Sequence, residues 1–343
     1  MVLRDILKDL GEAPFRARQI AGWKYRKLAR DYDEMRNLPL ALREELQRRR
    51  PLSTLKPIDE VQSTDGSTTK LLSQLDDGQL IESVLMRHED RNTVCVSSQA
   101  GCKMRCSFCA TGHGGWRRDL TPDEVVDQVL HFGHILKDEG RHVTNVVFMG
   151  MGEPLDNYDN VLAAIRLLNS PEGVGLGARN ITVSTCGLVP EIRRLAAEPV
   201  QVNLAVSLAA TIDERRNELI PINRRWPIEE LLTACDEYAH TTHRRVSFEY
   251  VLIAGVNDSI HEAQRLAGLL RGRLAHVNLI PLNPVEGDAY RRPNELAIRR
   301  FEEVLRAARV PVSVRYSKGV DIVAGCGQLR ASSSSPTAVG EAR

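Results

Sequence analysis

Apolar and polar residues alternate in two different ways over the first part of this chain. Up to residue 50 the apolar residues recur at helical spacing, as in LRDILKDL, and Pro14 suits the first turn of a helix. From residue 51 the pattern changes to two alternating runs around Asp77-Gly78, which is typical of a β-hairpin. We therefore expect a small helical domain over residues 1–50 and a β-rich connecting segment over residues 51–87.

From about residue 92, short apolar segments alternate with amphipathic helical ones such as TPDEVVDQVLHFGHILKD. Six apolar strands joined by helical crossovers predict an α/β fold with a parallel sheet covered on both faces. Periodicity does not separate an open doubly wound sheet from a partial barrel. The expected strands are 93–98, 145–150, 181–185, 202–208, 245–252 and 276–282. This core spans residues 88–330, and residues 331–343 are predicted to be a disordered tail because they contain few bulky apolar side chains.

Charge is distributed unevenly along the chain. Its formal net charge is +1, yet residues 1–50 carry 13 Lys/Arg against 8 Asp/Glu. A basic first segment indicates a nucleic-acid handle, and the alternative is an ordinary solvated helical surface. No signal peptide or bilayer-length apolar run is present, so a cytoplasmic protein is expected. Seven cysteines in a reducing compartment favour metal or redox chemistry over a disulfide scaffold.

The segment GCKMRCSFCATG carries three cysteines, Cys102, Cys106 and Cys109, in a C-x3-C-x2-C pattern just after the first core strand. Three thiolates from one short loop can bind three irons of a 4Fe–4S cluster and leave the fourth iron open to a substrate. A structural zinc site needs a fourth ligand at conventional spacing, and His113 is the only close candidate. The spacing therefore favours an iron–sulfur cluster over zinc.

Long motifs give the chain a family resemblance from PFRARQIAGWKY to DIVAGCGQL. It resembles the RlmN and Cfr families of radical S-adenosylmethionine (SAM) enzymes, which methylate adenine in RNA. The motifs that carry the resemblance are CVSSQAGCKMRCSFCATG, FMGMGEPLDN, ITVSTCGLVP, PINRRWPIEELL, YVLIAGVNDS and VNLIPLNP. The GEPL sequence favours the RlmN type. The resemblance implies a partial (β/α)6 radical SAM barrel with a small N-terminal helical domain that binds RNA.

The resemblance also implies which residues contact SAM. Read alone, Gly150 and Gly152 allow a close backbone approach to a ligand, and a polar residue at a strand end is usually an ordinary satisfied group. Where the family usually has His, this chain has Ala209, so only a backbone contact is expected there. The implied SAM contacts are Gly152, Glu153, Ser184, Ser207, Leu208, Ala209 and Asn283. Phe108 fits either the family's aromatic position or core packing.

Three further residues receive catalytic roles by resemblance. Cys326 carries the methyl group, Glu82 accepts the ring proton, and Cys95 forms a disulfide with Cys326 to release the product. The glycines that flank Cys326 suggest an exposed, mobile loop, whereas Cys186 and Cys235 are expected to be inert buried residues. One SAM methylates Cys326 and a second is cleaved by one electron, which makes two SAM molecules per turnover.

The implied partners are 23S rRNA, at adenosine 2503, and tRNA, at adenine 37, together with a one-electron donor such as flavodoxin. A monomer without membrane contact is expected. A candidate RNA grip, whose aromatic members could equally be core residues, consists of Arg16, Arg18, Trp23, Lys24, Tyr25, Arg26 and Lys27. Two alternatives stay open: a Cfr-type C8 methyltransferase, and a non-catalytic iron–sulfur or zinc RNA-binding protein.

Overall fold

Residues 3–50 form the expected small helical domain. The computed structural model describes residues 3–285, 287 and 289–330, so the expected tail over 331–343 lies outside the described residues. Helix α1 spans Leu3–Asp9, α2 spans Phe15–Ala21 and continues as a π-helical turn over Gly22–Arg26, and α3 spans Leu40–Arg49. Their apolar side chains bury one another in a cluster separate from the main core, with Ile20, Met35 and Leu46 fully enclosed.

The β-rich segment and the core share one ten-stranded sheet. Strands β1 (Leu55–Gln62), β2 (Thr68–Leu75), β3 (Leu80–Arg87) and β4 (Asn92–Cys95) pair antiparallel in that order, and the predicted hairpin at Asp77-Gly78 joins β2 to β3. A separate two-stranded ribbon follows, made of β5 (Gln99–Gly101) and β6 (Trp116–Asp119). Between its strands lies the three-cysteine loop with the short helix α4 (Ala110–His113).

The remaining elements alternate between helix and parallel strand, which confirms the partial barrel. They are α5 (Pro122–Asp138), β7 (Asn145–Phe148), α6 (Tyr158–Asn169), β8 (Ile181–Thr185), α7 (Val189–Ala196), β9 (Asn203–Ser207), α8 (Asp213–Leu219), α9 (Ile228–Thr242), β10 (Val246–Leu252), α10 (Ile260–Leu270), β11 (Ala275–Pro281), α11 (Glu295–Ala307) and β12 (Val312–Val314). The strands from β4 onward pair in parallel in chain order, and the sheet ends at β1 and β12. Short 3-10 turns cover Ala178–Asn180, Pro221–Arg224 and Val320–Ile322.

Register decides which side chains face the inside of the barrel. Val84 pairs with Cys95, and Cys95 pairs with Val147. Continuing through the sheet, Ser184 pairs with Ala205, Ser207 with Glu249, and Glu249 with Asn278. Because paired residues share a face and every second residue of a strand repeats it, one face collects the polar side chains. The opposite face carries Phe248 and Tyr250, which are buried in the apolar core.

Local sequence signals set where the helices begin. Thr121 caps α5 in a capping box: its hydroxyl accepts the Glu124 N–H, and the Glu124 carboxylate accepts the Thr121 N–H at 2.8 Å. Ser259 and Asn294 cap α10 and α11 in the same N-terminal position. Within the described residues, no helix combines the length and apolar character that crossing a bilayer requires.

A buried ion pair joins the N-terminal helices to the barrel. Lys24 Nζ lies 2.7 Å from Asp127 Oδ1 of α5, with side-chain exposures of 11% and 1%, and it also donates to the Leu52 carbonyl. The other oxygen of Asp127 accepts the backbone N–H and the hydroxyl of Thr54. The prediction that Lys24 belongs to the RNA grip is therefore wrong, because Asp127 already neutralises its charge inside the protein.

The aromatic members of the expected grip also pack against the protein. Trp23 is half-buried on the helical cluster and donates to Asn37, and Tyr25 is half-buried on the main core. Arg18, Arg26 and Lys27 remain exposed. The exposed basic surface is therefore smaller than the sequence suggested.

Replacing Asp127 with Asn should lower the free energy of unfolding by about 3–5 kcal/mol, because Lys24 is left as a buried charge without its partner. Denaturant unfolding followed by circular dichroism measures the change. The matched control is Glu237→Gln, which breaks an exposed pair with Arg193 (side-chain exposures 46% and 43%) and should change the free energy of unfolding far less. An equal loss of unfolding free energy in the two variants would contradict the conclusion that Asp127 compensates a buried charge on Lys24.

Candidate active site

The three thiols of the cysteine loop lie close together. Burial raises the pKa of both Cys102 and Cys109 above the ordinary thiol value, and the charge of Cys106 adds to the rise in each case. Such mutual effects fall off with distance, so the sulfurs are near neighbours. Three thiolates in a buried loop are stable only with a positive counter-charge, which bound iron supplies.

The candidate fourth zinc ligand, His113, lies against the backbone of the cysteine loop. Among the described residues, no group of three or more Cys, His, Asp or Glu side chains converges as one metal ion requires. The ring of His113, the one candidate for a fourth zinc ligand, lies 3.1 Å from the Ser107 carbonyl. In a 4Fe–4S cluster each cysteine binds a different iron, so the sulfurs stand further apart than around zinc.

Close backbone packing fixes the shape of this loop. Gly101 has φ +80°, and a Cβ there would stand 1.8 Å from the Gly115 carbonyl oxygen. That carbonyl accepts the Cys102 N–H at 3.0 Å, which closes the base of the loop. Only glycine meets both requirements at position 101.

The glycines of the GMGEPL segment allow close packing within the protein. A Cβ on Gly150 would lie 2.7 Å from the Val96 carbonyl oxygen, and one on Gly152 would lie 2.6 Å from Gln99 Cβ. Gly152 also has φ +101°. These glycines therefore let the loop after β7 lie against residues 96–99, and a ligand contact at Gly152 stays a prediction.

Glu153 is a buried carboxylate with backbone partners only. Oε1 accepts the Leu155 N–H at 3.0 Å, and Oε2 accepts the Cys186 N–H at 2.8 Å. Burial raises its pKa, while these hydrogen bonds act in the opposite direction. No Lys or Arg pairs with it in the part of the chain that the structure describes. An ammonium group from a ligand would supply the missing cation beside the cysteine loop.

Arg216 holds the backbone around the other expected SAM contacts. It is fully buried and donates to the carbonyls of Cys186, Ser207 and Leu208 and to Asn223 Oδ1, at 2.7–3.1 Å. Burial lowers its pKa. Ala209 follows this clamp in the left-handed region, at φ +54°. Arg216 thus fixes the backbone at 207–209 through its carbonyls, as a ligand contact with the backbone of Ala209 would require.

Asn283, two residues beyond β11, offers an unused acceptor. Its Nδ2 donates to Ser317 Oγ at 2.7 Å and to the Cys326 carbonyl at 3.1 Å, while its buried Oδ1 has no partner. Ser184 and Ser207 lie on the inner face at the ends of β8 and β9. Asn283 Oδ1 lacks a hydrogen-bond donor, and the Glu153 carboxylate lacks a cation. Both therefore fit a ligand that brings hydrogen-bond donors and a positive charge, as SAM does.

The charge of Cys326 acts on the thiol of Cys95. Burial and then the charge of Cys326 raise the pKa of Cys95 to about 12. Cys326 is exposed, as expected, although surrounding protein and the charge of Glu249 raise the pKa of its thiol. A hydrogen bond with Ser317 acts in the opposite direction. All seven cysteines are free, so these two are neighbouring thiols rather than a disulfide.

The segment that carries Cys326, residues 319–330, is called here the closing loop. It is fastened at both ends: Asp321 accepts the N–H and hydroxyl of Thr64, and the Leu329 carbonyl accepts the Thr111 hydroxyl at 2.6 Å. The Gly327 carbonyl accepts the Ala110 N–H at 2.8 Å, which joins the loop to the cysteine loop.

Glu82 lies under the closing loop on the same sheet face as Cys95. One carboxylate oxygen accepts the Arg330 N–H at 2.7 Å, and the other pairs with Lys70 at 3.2 Å. Sequence reasoning missed Lys70 and Arg216, because an alternating strand and an Arg-rich helix carry no local sign of such partners. It also treated Cys186 as an inert buried residue, and here Cys106 and burial raise the pKa of the Cys186 thiol.

An inward-facing polar surface, three cysteines in one loop and a partial barrel define a radical SAM enzyme. The sequence model of the Radical SAM superfamily matches residues 96–267, and that of the ribosomal RNA large subunit methyltransferase N-terminal domain matches residues 2–50. The chain belongs to the RlmN family of radical SAM methyltransferases, as its relatives indicate.

Two relatives and one solved structure illustrate the similarity. The probable dual-specificity RNA methyltransferases RlmN of Symbiobacterium thermophilum and Thermobifida fusca are 49% and 50% identical to it, each over 96% of this chain and over 88% and 92% of their own. The crystal structure of a radical SAM methyltransferase from Sphaerobacter thermophilus superposes with a TM-score of 0.94 at 55% identity and covers 96% of this chain and 97% of that one.

Replacing Arg216 with Met should lower the free energy of unfolding by about 2–4 kcal/mol, because several buried acceptors lose their donor. SAM affinity should fall as well, since the backbone at 207–209 loses its support. Thermal unfolding and equilibrium binding of SAM measure the two effects. Arg215→Met is the control on the same helix: its exposed pair with Glu218 predicts little change, and equal effects would contradict the clamp.

Proposed function

We propose that this enzyme methylates C2 of adenine in RNA, at adenosine 2503 of 23S rRNA and adenine 37 of tRNA, through a methylated Cys326. The observation that carries the proposal is that hydrogen bonds join the closing loop, which carries Cys326, to the three-cysteine loop at Ala110 and to Glu82. Relatives at 49–50% identity are named dual-specificity RNA methyltransferases, which supports an RNA substrate.

The cofactors of the proposal are a 4Fe–4S cluster and SAM, two molecules per turnover. Cys102, Cys106 and Cys109 hold the cluster. Glu153 receives the SAM ammonium group, and the remaining SAM contacts come from Gly152, Ser184, Ser207, Asn283 and the backbone at Leu208 and Ala209. When bound, the cluster and SAM supply the one-electron chemistry that makes a carbon reactive toward an aromatic ring.

Cys326 carries the carbon that is transferred. Adenine C2 is not a nucleophile, so it cannot take a methyl group directly from a sulfonium. The Cys326 thiolate can take it. The Ser317 hydrogen bond favours that thiolate, whereas desolvation and the charge of Glu249 raise the pKa of the thiol. Exposure of Cys326 lets the methyl donor, and later the base, reach the sulfur.

Glu82 and Cys95 complete the reaction. Glu82 accepts the C2 hydrogen as a proton once the Cys326 carbon is joined to the ring, and the unpaired electron left on the ring returns to the one-electron carrier that supplied it. Cys95 then attacks the Cys326 sulfur: the S–S bond forms, the S–C bond breaks, and its electron pair with the thiol proton converts the CH2 group to the product methyl group. The disulfide must be reduced before another cycle.

The substrate and its setting follow from the same site. The base must be unpaired or extruded to reach an inward-facing thiol. Exposed Arg18, Arg26 and Lys27 supply phosphate contacts near the N-terminus. A one-electron donor such as flavodoxin, acting on a cytoplasmic monomer, completes the proposal.

Cys95→Ala should methylate Cys326 and then stall as a covalent protein–RNA adduct, because no second thiol releases it. The adduct appears as a gel shift that survives denaturant and disappears with nuclease. Cys326→Ala and the double variant should give no adduct, and buried Cys235→Ala serves as the control with ordinary turnover.

Normal turnover by Cys95→Ala, or RNA methylation by Cys326→Ala, would overturn the two-cysteine mechanism. Mass spectrometry with reference nucleosides distinguishes 2-methyladenosine, which is expected, from the 8-methyladenosine of a Cfr-type enzyme. Production of 5′-deoxyadenosine by the reconstituted protein excludes a purely RNA-binding role.

The variant Arg18→Gln/Lys27→Gln should weaken RNA binding and reduce the slope of log affinity against log salt by about 1 for each phosphate that is no longer neutralised. Fluorescence anisotropy over a salt titration measures the slope. Arg193→Gln, an exposed charge on α7, is the control. An unchanged slope in the double variant would place the RNA-binding surface elsewhere on the protein.

A further inference from the structure

Lys70 shares the inner face of the sheet with the residues of the candidate active site. The β2–β3 register pairs Lys70 with Val84 and Leu72 with Glu82, so Lys70 and Glu82 are diagonal neighbours on one face. Lys70 Nζ lies 3.2 Å from Glu82 Oε1, and only 12% and 10% of the two side chains are exposed. Such a buried pair is far less screened by water and salt than the surface pairs of this protein.

The pair is also attached to the closing loop on both sides of Cys326. Lys70 Nζ donates to the Val323 carbonyl at 3.4 Å, and Glu82 Oε2 accepts the Arg330 N–H at 2.7 Å. One carboxylate oxygen of Glu82 thus pairs with Lys70, and the other accepts a hydrogen bond from the closing loop. Rotation of the carboxylate would break one of these hydrogen bonds, so its direction is fixed.

We propose that Lys70 is the positioning residue for proton removal from the RNA base, an inference that rests on the proposed role of Glu82. Lys70 lies against the Glu82 carboxylate in a nearly dry site and holds it in one orientation under the closing loop. In the step, the carboxylate takes the ring hydrogen as a proton, and both electrons of the C–H bond stay on the ring. The unpaired electron that radical addition left on the ring returns to the one-electron carrier that supplied it, which restores the aromatic base.

Lys318 provides a matched comparison. Its Nζ donates to the Arg87 carbonyl at 3.0 Å, so it also joins the segment at the start of the closing loop to β3, but it has no contact with Glu82. A lysine that only fastens the loop should behave like Lys318. A lysine that positions Glu82 should affect the proton step specifically.

The experiment uses reconstituted full-length holoenzyme and an RNA substrate whose target adenine carries deuterium at C2. Lys70→Met should methylate Cys326 at the normal rate and keep its KM for RNA, while kcat falls about tenfold or more, as loss of a well-placed general base predicts. The protein–RNA adduct should accumulate with deuterium retained, and a deuterium isotope effect on kcat should appear. Lys70→Arg should restore kcat to within about threefold, because the positive charge is kept.

Lys318→Met and Glu82→Gln are measured alongside. If Lys70→Met lowers kcat no more than Lys318→Met and shows no isotope effect, Lys70 only fastens the loop and the inference is wrong. If Lys70→Met turns over normally while Glu82→Gln stalls with deuterium retained, the inference fails and the proposed function stands. Normal turnover by Glu82→Gln would instead remove Glu82, and with it the proposed proton step.

Discussion

The docking of the closing loop is the constraint on which the candidate chemistry depends. The ten-stranded sheet is open, with β1 and β12 at its ends, and the chain after β12 returns toward β2 and β3. Hydrogen bonds to Thr64, Thr111 and Ala110 hold this return, and the Arg330 N–H joins it to Glu82. Each such bond contributes about 0.5–1.5 kcal/mol, so the loop is placed accurately without being locked.

Two buried charges of opposite sign support the cysteine loop through one residue. Glu153 accepts the N–H of Cys186, and Arg216 donates to its carbonyl. The backbone of Cys186 therefore lies between a carboxylate and a guanidinium, and each charge polarises it in the same sense. Because Cys186 also contacts Cys106, this arrangement transmits the position of β8 and α8 to the cysteine loop. A ligand ammonium beside Glu153 would complete the charge balance.

The repeating part of the fold could be predicted from the sequence, because buried parallel strands are continuous apolar runs. Strand β12 was missed since its three residues are only half-buried, and β5 and β6 were missed since they are short and polar. The positions of the three cysteines follow from spacing. The packing role of Gly150 and Gly152, the burial of Lys24, and the partners of Glu82 depend on register and on chain segments far apart in sequence, which a local pattern does not contain.

The pairing of Val84 with Cys95 has a consequence for how this region can change in evolution. Glu82 and Cys95 share a face because the antiparallel register of β3 and β4 is fixed and side chains alternate every residue. Inserting one residue within either strand would turn one of these groups toward the helices, unless a bulge absorbed it. Length variation is therefore confined to the connection at residues 88–91, whose ends are already bridged by the His88 N–H to the Arg91 carbonyl. The strand register thus fixes the position of Glu82 relative to Cys95, while the length and sequence of the turn at residues 88–91 can vary.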